Sequence, residues 1–494
     1  MAGMTRTARF LGHVAAWLGP AGLVAWLVFA GPALAGETEA GPDVVQVVSR
    51  LTYGPTPGLL DKAAAMGAAA FIDQQLAPEA LPEPPELERA LAGLPSLQKD
   101  TVRLFREYGP PAEDGRAEGP EAMRRTFDRA DAVALEAAKA RLLRAVASPN
   151  QLAELMVAFW CDHLSLGSKK GLSHLWIGSY EREAIRPHAL GNFFDLLAAT
   201  AMHPAMLMAQ DNWKNVVVRE TGKPAKEAVD ATYAAVLLNR QTLGPGGPQK
   251  PADVQALARI LTGWRVGAAR ADSDTGGFYF DAERHDPSDK TLLGQRIAGT
   301  GFGEGAAALR LLAEHPATAK NISRKLAVYF LADDPPPALV ARLADTFQKT
   351  GGDIRQTLRA LFTSPEFQDD KYRGGRVKSP LRQVASALRA LGAFPSDAAG
   401  LVGLLAALGQ PLPGDAAEGA LAPAAQWAKA EALPRRVSFA GDLAAGRIAG
   451  CSPPTTDPAT LARTLGPTLS PAARQAAERG GLAVILASPD FVKY

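Results

Sequence analysis

The stretch SPNQLAELMVAFWCDHLSLGSKK, Ser148 to Lys170, and its continuation EREAIRPHALGNFFDLLAATAMHPAMLMAQDN, Glu181 to Asn212, decide the fold class. The first part reads as a helix. Ser148 stands where an N-cap belongs, and Pro149 takes the first helical position, where a missing N–H costs nothing. Gln151 follows the cap by three residues, as a capping box asks. Leu152, Leu155, Met156, Phe159 and Trp160 recur at the spacing of one helical face, and His163 continues the series, so it is expected to point inward with Asp162 beside it. A buried His beside a carboxylate is either a satisfied core residue or a tuned functional one. From 148 to 212 the chain holds four of its seven histidines and one of its two cysteines.

Outward from this stretch the same punctuation recurs. Ser148-Pro149, His203-Pro204, His315-Pro316, Ser379-Pro380, Asp457-Pro458 and Ser470-Pro471 each precede a helical pattern, a consistent start signal. Apolar stripes predict helices at Val254–Leu261, Ile322–Phe330 and Leu339–Phe347, the last stopped by Gly351-Gly352. Asp353 is expected to cap the next, which carries Ile354, Leu358, Leu361 and Phe362. Asp43 to Leu76 reads as two short helices around Tyr53-Gly54-Pro55-Thr56-Pro57, and Glu121 to Val146 as a long helix of mixed charge. Residues 108–120 read as a flexible loop. ALFTSPEF (Ala360 to Phe367) and VILASPDF (Val484 to Phe491) share a helix-ending device, Ser-Pro-acid-Phe. Arg265 to Gly305 is the non-helical section. There Gly277–Phe280 and Thr291–Gly294 read as two strands flanking a loop with His285-Asp286-Pro287. GTGFGEG, Gly299 to Gly305, reads as a glycine-rich surface loop rather than a phosphate cradle. The expected fold is mainly α: one large multi-helical domain over 36–494 with a small β-hairpin insertion around residues 276–297.

Residues 1–35 have the form of a general secretory signal: Arg6 and Arg9, an apolar run from Val14 to Ala30, and Ala33-Leu34-Ala35 before Gly36. The expected destination is the periplasm or the extracellular space. The whole chain has 53 basic and 51 acidic residues. Cleavage removes the two arginines and no acid, which leaves the mature chain formally neutral. That balance argues against a nucleic-acid partner. No other run is long enough to span a membrane. Cys161 and Cys451 form no disulfide framework, although an oxidising compartment permits one bridge.

The sequence carries no G-x-S-x-G elbow, Walker A loop, dinucleotide fingerprint, H-E-x-x-H or paired Cys-x-x-Cys. Its polar candidates fall into two groups. His163, Asp162, His285 and Asp286 are the catalytic candidates. Arg182, Glu183, Arg186, His188, Asp211 and Asn212 are the ligand-binding candidates, with Glu181 and His203 nearby. Arg182 and Arg186 are expected to share a helix face, and Glu183 to pair with Arg186 at i, i+3. Should these groups converge, they suit a metal or an anionic ligand; otherwise they form a solvated ion-pair face. No local spacing selects a metal or a cofactor.

At these residues the chain resembles a bacterial exported family, the "domain of unknown function 1800" proteins. The resemblance runs from about Val44 to the C-terminus. It is carried by RLTYGPTPGLLDKAAAMGAAAFIDQQL, FWCDHLSLG, REAIRPHALGNFFDLLAATAMHPAML, DVQALARILTGW, HDPSDKTLLG, HPATAKNISRKLAVYF, GGDIRQTLRALFTSPEF and the GPTLSP-to-ASPDF end. It implies a helical exported protein without an established activity. It also implies a partner: a co-exported protein of the family numbered 1501, which resembles sulfatase or phosphatase folds. The chain departs from the family in DATYAAVLLNRQTLG, Asp230 to Gly244. Ala235, Val236, Asn239 and Gln241 stand where the family has Arg, two Glu and His, and Asp162 replaces an Asn. The function expected is therefore an envelope or periplasmic binding or assembly protein. The alternatives are a metal- or His/Asp-dependent hydrolase of a cell-envelope substrate, or a degenerate enzyme-like subunit.

Overall fold

In the computed structural model of the chain, Leu152, Leu155, Met156, Phe159, Trp160 and His163 are all buried, on a helix spanning Gln151–His163. The structure describes residues 43–110, 119–166, 171–218, 226–267, 277–412 and 423–494. The expected secretory signal at 1–35 and the middle of the expected 108–120 loop lie outside the described residues. The helix begins two residues later than its sequence suggests. Ser148 closes the preceding helix, Pro120–Ala147, and its Oγ accepts a hydrogen bond from the Asn150 amide. No capping box forms, because the Gln151 side chain is committed elsewhere. Its Oε1 accepts from the Tyr53 amide at 2.9 Å, and its Nε2 donates to the Ser148 and Ala145 carbonyls. Gln151 thus ties the Tyr53 turn to the central helices.

The other start signals hold. His203 and His315 cap their helices through Nδ1, which accepts the Ala205 and Ala317 amides. Ser379, Asp457 and Ser470 cap through side-chain oxygens, and Asp353 caps Ile354–Phe362. Ser364 and Ser488 each end one helix and cap a short next one, seating Phe367 and Phe491 in the core. The stretch after Asp43 forms three helices, Val44–Leu51, Leu59–Met66 and Ala68–Gln75, rather than two. Gly67, at φ +86°, breaks the pattern where a side chain would be strained.

The body is mainly α-helical. Pro316–Phe330 packs on Pro337–Lys349, which packs on Ile354–Phe362. Pro380–Ala390 lies against the alanine-rich face of Pro120–Ala147 and is buried along its whole length. Residues 42–494 make one compact unit.

Among the described residues the sheets are three two-stranded antiparallel pairs. Strand Phe278–Phe280 was expected to face the 291–294 strand; it pairs instead with Trp264–Val266. Lys290–Leu292 turns back on Gln295–Ile297. Trp264 follows closely on the Val254–Leu261 stripe, and three residues with Arg265 in the middle are too few to show a strand pattern. A third pair, Val216–Val218 with Lys226–Ala228, had no counterpart in the sequence reading. Of the GTGFGEG loop, Phe302 onward is helical, and Gly305 lies so close to the Trp264 ring that a Cβ would sit 2.2 Å from it. Cys161 and Cys451 are free thiols.

Candidate functional site

The structure distributes the predicted site residues among separate internal networks. His163 is 1 % exposed, and its Nε2 lies 2.9 Å from the Gln241 carbonyl. That carbonyl can only accept, so Nε2 carries the proton and Nδ1 accepts from Lys325 Nζ at 3.0 Å. Burial, then the Lys325 charge, holds His163 well below its usual range, against the pull of the Gln241 carbonyl. Burial and the neighbouring Arg240 and Arg324 bring Lys325 down to about 8. Asp162, half-buried, is bonded elsewhere than on its neighbour's ring.

Arg182 and Arg186 do not share a face, and Glu183 does not pair with Arg186. Residues Tyr180–Ile185 form a π-helical turn, whose repeat joins i to i+5. The wider turn brings Arg186 to Glu181, Nη2 to Oε1 at 2.7 Å, and lets it clasp Glu154 from the facing helix. Glu181 also takes Arg141 at 2.8 Å. Burial pushes the Glu181 carboxyl up, but Arg141, Arg186 and Arg144 outweigh it and hold it at about 2. Arg141 Nη2 sits 3.1 Å from the Cys161 sulfur, yet burial pushes that thiol up to about 12, so it is no nucleophile. Arg182 turns the other way and donates to the Leu97 and Lys99 carbonyls. Glu183 accepts from Thr101 Oγ1 at 2.9 Å and lies 3.7 Å from His203. His188 is half-buried near Asp195.

A second network surrounds the hairpin loop. The His285 ring, 2 % exposed, lies between the Thr262 carbonyl at 2.9 Å and Glu304 Oε1 at 2.9 Å. Glu304 also binds Lys290 at 2.7 Å. Asp286 forms an Asx turn with Ser288 and a 2.8 Å ion pair with Arg259. Burial raises it, but Ser288, Arg259 and Lys290 hold it at about 2. Asn212 is buried, donates to the Leu261 carbonyl and accepts from Asn215. Asp211 sits at φ +57° beside Lys214. His163 and His285 therefore have different partners. Among the described residues, no three His, Cys, Asp or Glu side chains gather as a metal would need.

The arrangement with open chemistry lies elsewhere, in residues the sequence reading did not single out. A cleft of about 280 Å³ is walled by the Val44–Leu51 helix, the Tyr53 turn, the 373–382 segment and the chain from Leu465 to Tyr494. Lys378 and Arg382 line it, 6 % and 4 % exposed. Arg382 Nη2 donates to the Ser49, Arg50 and Thr52 carbonyls. Lys378 Nζ donates to Ser386 Oγ at 2.8 Å and rests 4.0 Å over the Phe491 ring. Arg382 and Arg50 stack at 3.7 and 5.0 Å from the centre of the Tyr494 ring. Arg376 Nε donates to the Tyr494 hydroxyl at 3.3 Å. Burial pushes this phenol up, but Arg382, Arg376 and Arg50 outweigh it and bring it down to about 8. Among the described residues, neither Lys378, Arg382 nor Arg50 has a carboxylate partner, and Arg50 Nε and Nη1 make no hydrogen bond.

Two signals pointed here. In KSPLRQVASALRA, Lys378 and Arg382 flank a Ser-Pro helix start, and Arg389 falls seven residues after Arg382 on the same face. Such a stripe reads as a solvated face, and only the burial of the entire helix reverses that reading.

A family model described as "Protein of unknown function (DUF1800)" matches residues 46–492. No curated protein and no solved structure matches the chain.

Proposed function

The chain belongs to the DUF1800 family of proteins of unknown function, and on that footing we propose that it is an exported binding or assembly protein of the cell envelope whose ligand occupies the cleft beside Lys378 and Arg382. The observation that carries this reading is a contrast in charge pairing. The hydrolase candidates His163, His285 and Asp286 have their polar atoms committed to neighbours inside the fold. Among the described residues, Lys378 and Arg382 have carbonyls, a hydroxyl and aromatic rings as partners and no carboxylate. A desolvated cation without a counter-charge is costly unless something compensates it. The secretory signal at residues 1–35 supplies the export, and the co-exported protein of the 1501 family is the partner that would present or receive the ligand.

Native mass spectrometry of the exported protein tests this reading. The expected result is a small molecule that stays bound in His163→Gln and is lost in Thr468→Trp, which fills the cleft. A hydrolytic activity that disappears in His163→Gln or His285→Gln while the fold persists would favour the hydrolase.

One observation favours the degenerate-subunit reading as a companion. Gln241, standing where the family carries His, is buried and gives its carbonyl to His163, so the substituted segment lies directly on that ring. Gain of turnover in Gln241→His, with the other family residues restored, would establish it.

A further inference from the structure

We infer that the cleft ligand is a small organic oxyanion, a carboxylate or phosphate group carried on an apolar remainder; this deepens the binding reading above and rests on it. Four basic residues, Arg373, Lys378, Arg382 and Lys493, line the cleft against one acid, Asp490. Arg373 is already paired with Asp43 and Asp370 at the surface, and Asp490 accepts the Ser470 amide. Lys493 is exposed, so the excess inside the cleft falls to Lys378 and Arg382, the two most deeply placed of the four. Among the described residues the side-chain hydrogen bonds of Arg382 all come from Nη2, which leaves its Nε and Nη1 protons as single donors to an oxyanion. Lys378 Nζ commits one N–H to Ser386 Oγ.

The remainder of the wall is apolar. Val45, Pro55, Leu465 and Pro467 face the same space, which suits a hydrocarbon portion of the ligand. At about 280 Å³ the cleft takes a small molecule and not a polymer strand or a protein segment. The local field agrees with an anion. Burial, then Arg382, holds Lys378 well below the ordinary lysine range, and Tyr494 is brought down to about 8. A bound oxyanion raises both groups, so Lys378 takes up a proton as it enters, and Tyr494 does so where the pH is above about 8.

Titration calorimetry of the exported protein with hexyl phosphate, hexanoate and 1-hexanol at constant ionic strength tests the inference. At least one anion is expected to bind at least about tenfold tighter than hexanol, with proton uptake seen as a heat that changes with the buffer. Lys378→Met is expected to weaken the anion by about tenfold or more and to remove part of that uptake. The wild-type comparison of anions with hexanol holds even where this variant fails to fold. Which anion binds tighter tells phosphate from carboxylate. Hexanol binding as tightly as both anions, and lost in Thr468→Trp, overturns the oxyanion inference while the cleft reading stands. Binding of none of the three, or binding that survives Thr468→Trp, overturns the cleft reading itself.

Discussion

Glu181 shows how residue-scale electrostatics hold this fold together. Its carboxylate is 5 % exposed and bound by Arg141 and Arg186. Its pKa falls from 4.5 to about 2 on folding. A lowered carboxylate pKa stabilises the fold above the unfolded value and loses that contribution as pH drops from 4.5 towards 2. The amount is on the order of 3 kcal/mol. Glu181→Gln leaves two buried guanidinium groups under-compensated, so chemical denaturation at neutral pH is expected to show a loss of about 3–5 kcal/mol. His163 has the opposite acid form and the same sign. Its folded pKa lies well below 6.5, so the unfolded chain binds the extra proton and stability declines as pH falls below 6.5. His163→Gln should retain a donor to Gln241 and flatten that decline. His163→Ala should cost about 2–4 kcal/mol. An unchanged acid profile in His163→Gln would contradict the assignment of a neutral core histidine. The inward direction of His163 was legible from its place in the apolar series. Its partner was not, because Lys325 lies 162 residues away.

At the scale of elements, the decisive feature is the departure from regular helix. The π turn at Tyr180–Ile185 redirected Arg182, Glu183 and Arg186, and a second at Leu237–Gln241 set the Gln241 carbonyl on His163. A pattern read at 3.6 residues per turn assigns these side chains to the wrong faces. Caps were legible because they depend on one or two neighbouring residues. Ser488→Ala, which removes an acceptor for the Phe491 amide at the cleft wall, is expected to cost about 1 kcal/mol by thermal denaturation. Gly54 carries a larger constraint. It sits at φ +140°, and a Cβ there would lie 2.5 Å from Ser386 Oγ, the group that holds Lys378. Gly54→Ala is expected to destabilise the fold by about 2 kcal/mol or more and to weaken ligand binding as well. Binding unaffected by Gly54→Ala would detach Ser386 and Lys378 from the site.

Across the whole molecule, the fold class followed from apolar periodicity and proline punctuation. The site did not, since it is assembled from segments that lie far apart in the chain. The Val44–Leu51 helix, the 373–382 segment and the 465–494 region meet there, and the Tyr494 backbone pairs with Arg376 across that distance. The candidates that sequence brings forward are polar residues of the 148–212 stretch and of the hairpin loop, and His163, Arg186, His285 and Asp286 are bonded to partners within the fold. No described helix is long and apolar enough to cross a membrane. Amide hydrogen exchange of the protein, with and without hexyl phosphate or hexanoate, is the most direct test of where the proposed ligand sits. The account predicts added protection at residues 373–382 and 490–494 and none at 160–164 or 284–290. Protection around His163 or His285, with the 373–382 segment unchanged, would contradict it.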